Sequence, residues 1–115
     1  MFCDSLSDNS ALFDKAICYI ERNFHKKDCS ILKLAQELNV SRTTLYREFI
    51  KRTDMSPVCY LKKYRLEQAS EMLKKDKSIA VSEVAFLCGY QNPYYFSKDF
   101  KKTIGVSPSE FRKNI

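Results

Sequence analysis

The sequence predicts an all-α protein, and three observations carry that reading. Gly and Pro number only two and three in 115 residues, while Leu, Lys, Glu, Ala and Arg are plentiful, so helix interiors are easier to build than the turns of a sheet. Apolar residues recur at three- and four-residue intervals along most of the chain, which is the period of a helix with one buried face. The chain also repeats itself once, each copy reading as a short helix, a turn and a longer helix. At this length, with 44% apolar residues, the chain suits one compact unit or two very small ones, and two large domains are excluded.

Residues 1–9 are polar and rich in Ser and Asp, and are expected to be a disordered lead-in. Ser10 can cap a first helix in which Leu12, Phe13, Ala16, Ile17, Ile20 and Phe24 share a face, with Asp14, Lys15, Glu21 and Arg22 opposite. Ser30 caps a short second helix with Ile31, Leu34, Ala35 and Leu38 inward, ended by Asn39, which tolerates a left-handed backbone. Ser41 caps a third, with Leu45 and Phe49 inward, that stops between Thr53 and Met55 because Ser56-Pro57 starts another. This fourth helix, from about Pro57 to Lys74, sets Tyr60, Leu61, Tyr64, Leu66, Ala69, Met72 and Leu73 among Lys62, Lys63, Arg65 and Glu67, and is long enough to act as a spacer.

After Lys77 the pattern starts again. Val81, Val84, Ala85 and Cys88 reproduce Ile31, Leu34, Ala35 and Leu38 at an offset of fifty, with Gly89 on Asn39. One extra residue in the turn moves the offset to fifty-one, after which Leu45 matches Phe96, Arg47 matches Lys98, Phe49 matches Phe100, and Ser56-Pro57 matches Ser107-Pro108. A solenoid needs more copies than two, so two similar modules are the better account. The expected organisation is a tandem unit over 10–115, with subdomains at about 10–55 and 78–115 and a linker helix at about 57–75.

Net charge is +6, unevenly placed: residues 1–24 hold two basic and four acidic side chains, and the rest holds eighteen against ten. A surplus of that kind favours a polyanion, although a charged helix face also serves solubility. The five cysteines are odd in number, widely spaced and without CxxC pairs, so they read as small core hydrophobes in a reduced, cytoplasmic setting. No apolar run approaches membrane-spanning length, and no membrane role is expected.

Each copy is a helix-turn-helix pattern whose second helix, at about 41–53 and 93–104, splits by face. In the first, Leu45 and Phe49 point in and Thr43, Tyr46, Arg47 and Ile50 point out. In the second, Phe96, Phe100 and Thr103 point in and Tyr94, Ser97, Lys98 and Lys101 point out. A helix anchored on one side fits the major groove of duplex DNA, with residues of its first turns reaching base edges. Arg47 suits a bidentate contact with guanine, Thr43 offers a hydroxyl or a methyl, and Tyr46 offers its ring to a thymine methyl. Arg42, Lys51 and Arg52 suit phosphates. Asn92 and Pro93 set a cap and first position for the second reader, where backbone N–H groups can meet a phosphate.

These residues resemble the DNA-binding domain of the AraC/XylS family of bacterial transcription regulators over roughly Leu12 to Arg112. The resemblance rests on Ala85 to Gly89, Tyr90, Tyr95-Phe96-Ser97-Lys98, Phe100-Lys101, Gly105, Ser107-Pro108 and Phe111-Arg112, with Tyr60-Leu61, Arg65-Leu66, Ala69 and Met72-Leu73 in the linker. It implies seven helices, with two helix-turn-helix subdomains on a long linker helix whose readers enter successive major grooves. A linker of eighteen residues spans about 27 Å, the order of one turn of B-DNA, about 34 Å. It implies base contacts at Arg42, Thr43, Tyr46 and Arg47 and at Tyr94, Tyr95, Ser97 and Lys98. The phosphate set is Ser41, Lys51, Arg52, Asn92, Lys101, Lys102 and Arg112.

Three departures from the family pattern stand out: Asn39 for a usual Gly, Ile104 for a usual aromatic, and the bulky Pro93-Tyr94-Tyr95, which favours phosphate anchoring by the second reader. The resemblance further implies RNA polymerase as a partner and a sensor, receiver or dimerisation domain in a longer protein. The opening helix is similar to those of output domains in hybrid two-component regulators.

Two rival readings differ in kind. An enzyme would need a catalytic constellation, and the chain offers one histidine, His25, with no zinc spacing, no phosphate loop and no cofactor motif, so no catalytic or metal residue is expected. A helical protein-interaction module in a signalling or transcription complex would show apolar anchors at the centre of its face, whereas both faces here centre on a base, Arg47 or Lys98.

Overall fold

The structure, a computed structural model, describes residues 4–114, with side chains described from Ala11 onward. Among the described residues it holds seven helices and no strand: α1 (Asp4–Asn23), α2 (Ile31–Glu37), α3 (Arg42–Thr53), α4 (Pro57–Lys75), α5 (Val81–Leu87), α6 (Pro93–Ile104) and α7 (Pro108–Lys113). This is the expected all-α order of two helix-turn-helix pairs joined by a long linker helix.

The start differs from expectation. Met1–Cys3 lie outside the described residues, but Asp4–Asn9 are helical, so Ser10 sits inside α1 instead of capping it. Ser, Asp and Asn favour caps and turns locally, yet extending a helix that is already nucleated is far cheaper than starting one. Ala16 and Ile20 are fully buried, Leu12, Phe13 and Ile17 half-buried, and Asp14, Lys15, Glu21 and Arg22 exposed. The helix ends at Asn23, whose Nδ2 donates to the Tyr19 carbonyl at 2.9 Å. Phe24, expected as its last apolar residue, falls beyond that end.

The chain divides into two compact units. One comprises the chain up to Asn23 and Cys29–Leu61; the other comprises Phe24–Asp28 and the chain from Lys62 onward. The cut through α4 and the transfer of residues 24–28 differ from the expected subdomain limits, and one side chain accounts for the transfer. Arg65 donates from Nε to the Phe24 carbonyl and from Nη2 to the Lys26 carbonyl, both at 3.0 Å, tying that loop to the second unit. The Phe24 ring meets Tyr64 edge-on at 5.2 Å, and Lys27 lies over Phe86 at 5.1 Å. Arg65 therefore acts as an internal clamp, where the sequence shows only one charge among several on the linker.

In the first unit Ala16, Ile20, Leu34, Ala35, Leu45, Phe49 and Leu61 are buried, and the Phe49 ring stands 5.1 Å from Phe13 and 5.4 Å from Tyr60. The second unit packs Leu66, Ala69, Leu73, Val84, Ala85, Cys88, Phe96 and Phe100 into one cluster. Each fully buried phenylalanine contributes about 2–3 kcal/mol relative to exposure. Thr103, expected on this inner face, is exposed; Ile104 packs against the cluster in its place, because its position rotates it back toward the core. Cys29 and Cys88 are the small core hydrophobes expected, whereas Cys18 and Cys59 are exposed. Burial pushes the Cys88 thiol up to about 12.

The two turns close alike. Val40 N–H donates to the Ala35 carbonyl at 3.1 Å and Tyr90 N–H to the Ala85 carbonyl at 3.0 Å, the six-to-one bond of a Schellman motif. The residue before each takes a left-handed backbone, Asn39 at φ 57° and Gly89 at φ 91°. Asp54 (φ 60°) and Gly105 (φ 104°) end α3 and α6 in the same region. Among the described residues no helix is long and apolar enough to cross a membrane.

Candidate nucleic-acid interface

The two reader helices, α3 and α6, each start from a side-chain cap. Ser41 Oγ accepts from Thr44 N–H at 3.1 Å and donates to Thr44 Oγ1 at 3.0 Å, while Asn92 Oδ1 accepts from Tyr94 N–H at 2.8 Å with Pro93 at the first helical position. Both were expected at phosphates; these bonds give them the prior task of fixing where each reader begins.

On α3, Arg42, Thr43, Tyr46, Arg47 and Lys51 are exposed, and Leu45 and Phe49 are fully buried behind them. On α6, Tyr94, Tyr95, Lys98, Lys101 and Lys102 are exposed, and Ser97 is half-buried. Tyr94 and Tyr95, 66% and 57% exposed, stand edge to face with centroids 5.4 Å apart. Their mutual contact sets two exposed phenol rings together at the start of α6.

Each reader contains one acidic residue, at positions matched by the repeat, and both are withdrawn from the outward face. Glu48 is 6% exposed and its Oε1 accepts from Arg52 Nε at 3.1 Å. Asp99 is half-buried, accepting from the Tyr90 hydroxyl at 3.1 Å with Lys62 Nζ 3.7 Å away. Burial and the Asp99 charge raise the Tyr90 phenol well above its usual range, so it stays a donor. The outward faces of α3 and α6 consequently carry basic, hydroxyl and aromatic groups without an exposed carboxylate. The repeat alignment contains this signal, since Glu48 and Asp99 lie between the matched pairs Arg47/Lys98 and Phe49/Phe100. Lys62 and Tyr90 are brought in only by the fold.

Two of the expected phosphate ligands have internal duties. Arg52 holds Glu48 and lies over the Phe13 ring at 5.6 Å. The Arg112 Nη1 donates to the carbonyls of Lys77, at 3.1 Å, and Ile79, stapling α7 to the loop between α4 and α5. Asp76 supports that loop by accepting from Ser78 N–H at 2.9 Å and Ser78 Oγ at 2.6 Å, which holds its carboxyl below the usual range. Arg112→Ala is expected to cost about 1–3 kcal/mol of stability, because two carbonyls lose a charged donor, and urea denaturation reads that loss directly.

Paired helix-turn-helix units whose second helices present basic outward faces without an exposed carboxylate define a class of tandem nucleic-acid-binding module. The match to known proteins agrees: the model of the family described as "Helix-turn-helix domain" covers residues 34–114, and the chain belongs to the AraC/XylS helix-turn-helix family of DNA-binding domains. The raffinose operon transcriptional regulatory protein RafR of Pediococcus pentosaceus is 38% identical over 103 residues, which is 90% of this chain and 36% of that protein. The C-terminal domain of AraT, a response regulator from Geobacillus stearothermophilus, superposes with a TM-score of 0.86 at 34% identity, covering 90% of this chain and 85% of that one. The DNA-binding domain of AdpA, a global transcriptional factor solved with a target DNA, superposes at 0.81 with 27% identity, covering 88% and 89%. The chain spans 36% of RafR, 39% of the transcriptional activator RhaS of Salmonella arizonae and 8% of histidine kinase P4 of Formosa agariphila, all curated relatives that it matches.

Proposed function

We propose that the chain binds duplex DNA in a sequence-specific way as the output domain of a bacterial transcription regulator, with α3 and α6 entering successive major grooves. The observation that carries this is the pair of reader faces cleared of carboxylates, Glu48 and Asp99 being withdrawn at equivalent places. A face that meets a polyanion gains from each cation and is penalised by each exposed acid, whereas a surface built only for solubility has no reason to hide both.

Base contacts fall to Arg42, Thr43, Tyr46 and Arg47 on α3 and to Tyr94, Tyr95, Ser97 and Lys98 on α6. Phosphate contacts fall to Lys51, Lys101 and Lys102, with Ser41, Asn92, Arg52 and Arg112 supporting the elements that present them. Electrostatic capture comes first, phosphate contacts then fix the register, and α3 discriminates bases. α4, nineteen residues or about 28 Å long, is of the order of the spacing between successive grooves on one DNA face. A sensor, receiver or dimerisation domain belongs to a longer polypeptide, and the relatives' greater length supports that part of the reading; action in the cytoplasm with RNA polymerase as protein partner follows from the proposed role in transcription.

Selection from random duplexes followed by footprinting tests the reading. Two protected major-groove patches about one helical turn apart are expected. A single patch would confine base reading to one unit, and no preference over random duplex would reject sequence-specific binding. Lys101→Ala is expected to weaken specific and random duplexes alike and to lower the slope of affinity against salt by about 1, as one lost phosphate contact does. A loss confined to one base pair would move Lys101 to the base-reading set.

A further inference from the structure

One apolar feature beside α3 is left over by phosphate and hydrogen-bond readout. A groove of about 760 Å³ runs along the flank of the first reader, its walls including Arg42, Thr43 and Tyr46 of α3, Leu32 of α2 and Val58 of α4. Leu32, Tyr46 and Val58 are 52%, 52% and 58% exposed, so three large apolar groups from three helices converge on one opening. A single exposed leucine is ordinary on any protein; three around one groove are a patch that asks for an occupant.

The groove is continuous with the face assigned to DNA, shares three side chains with it, and has an arginine and no carboxylate among its lining residues. An acidic occupant is therefore favoured over a basic one. Duplex DNA presents a single apolar group at the edges of its bases in the major groove, the 5-methyl of thymine. We propose that this groove reads a thymine methyl, with Leu32 and Val58, which lie outside the reader helix, acting with Tyr46 as specificity-determining residues. The inference rests on the DNA-binding reading above and adds to it a groove and two residues, Leu32 and Val58, that lie outside the reader helix and supply no hydrogen bond. Arg42 lines the groove beside them, and the methyl enters between the Leu32 and Tyr46 side chains.

Replacing thymine by deoxyuridine removes the methyl and keeps base pairing, so the test needs no change to the protein. Each thymine in the duplex recovered by selection is replaced singly, and binding of the 115-residue chain is measured. One position within the patch protected by α3 is expected to bind roughly three- to tenfold more weakly, the size of one methyl removed from an apolar site. In Leu32→Ser/Val58→Ser the penalty at that position should fall to near unity, with discrimination at the remaining positions kept. Both side chains are exposed, and an unchanged helical circular dichroism spectrum certifies the variant.

A protected patch without thymine, no deoxyuridine effect there, or an effect that survives in the double variant would each overturn the proposal. In those cases the groove falls to a protein partner while specific DNA binding stands. Failure to prefer any selected duplex over random DNA would overturn the underlying reading as well, and so is distinguishable from failure of the methyl site alone.

Discussion

Gly89→Ala is expected to destabilise the chain by about 2–4 kcal/mol, well beyond the loss at the other glycine. Two effects add at Gly89. Its φ of 91° lies in the region L side chains rarely adopt, and a Cβ built there would stand 2.4 Å from the Phe24 carbonyl oxygen and 3.0 Å from Arg65 Nε and Nη2. The nearest obstacle is backbone, so relief requires Phe24–Asp28 to retreat, and that retreat breaks the bonds by which Arg65 holds the loop. Gly105 separates the two effects, since its φ is 104° but nothing lies within 4 Å of a built Cβ. Gly105→Ala should therefore cost only the conformational penalty, about 1–2 kcal/mol. Urea midpoints of the two variants decide the matter: equal losses would mean that φ alone governs and that the Phe24 contact can yield without cost. Gly89→Asn sharpens the comparison. Asn occupies the equivalent turn at Asn39, at φ 57°, yet at position 89 it should lose nearly as much as Ala because the clash with Phe24 remains.

The contrast between Asn39 and Gly89 also shows what the sequence reveals and what it withholds. The repeat placed both residues at one point of one motif, and the alternation of Leu34, Ala35 and Leu45 or Val84, Ala85 and Phe96 identified the inner faces, because periodicity is a local property of the chain. The caps at Ser30, Ser41 and Asn92 were equally legible, each bond spanning two or three residues. Contacts between distant positions were not. Arg65 reaches back 41 residues to Phe24, Arg112 reaches 33 residues to Ile79, and Lys62 meets Asp99. Arg65 and Arg112 fall within the family pattern, but their partners do not follow from it, since a basic residue on a linker or a terminal helix looks the same whether it faces solvent or a carbonyl. The groove is illegible for the same reason: Leu32 and Val58 read as scattered surface apolars until the fold sets them beside Tyr46. The start of α1 went wrong in the opposite direction, local composition arguing for a lead-in where an established helix simply continues.

Arg47→Ala should reduce discrimination at one base position by about 1–3 kcal/mol, roughly five- to 150-fold, while leaving the remaining positions of the site nearly as selective. The reasoning is geometric. Arg47 lies in the second turn of α3, exposed, with Phe49 fully buried and Glu48 withdrawn behind it, so nothing acidic on its own helix competes for the guanidinium from the outward face. A planar fork aimed outward from an anchored helix matches the O6 and N7 acceptors of guanine, and neither acceptor pair is offered in that form by another base pair. Charge alone makes a different prediction, which Arg47→Lys isolates. Lysine keeps the cation and lacks the fork, so it should retain the salt dependence of wild-type binding while losing most of the preference for guanine. The measurement is affinity for duplexes carrying all four base pairs at each position of the selected site, at two salt concentrations. If Arg47→Ala weakens selected and random duplexes equally, Arg47 is a phosphate ligand and base reading by α3 falls to Arg42, Thr43 and Tyr46. If Arg47→Lys preserves the guanine preference, a point charge suffices and the bidentate assignment is wrong. Lys98, its counterpart on α6, is already a point charge, so the same substitutions predict an asymmetry: the first reader carries the hydrogen-bonded base preference, and the second contributes affinity that varies with salt more than with sequence.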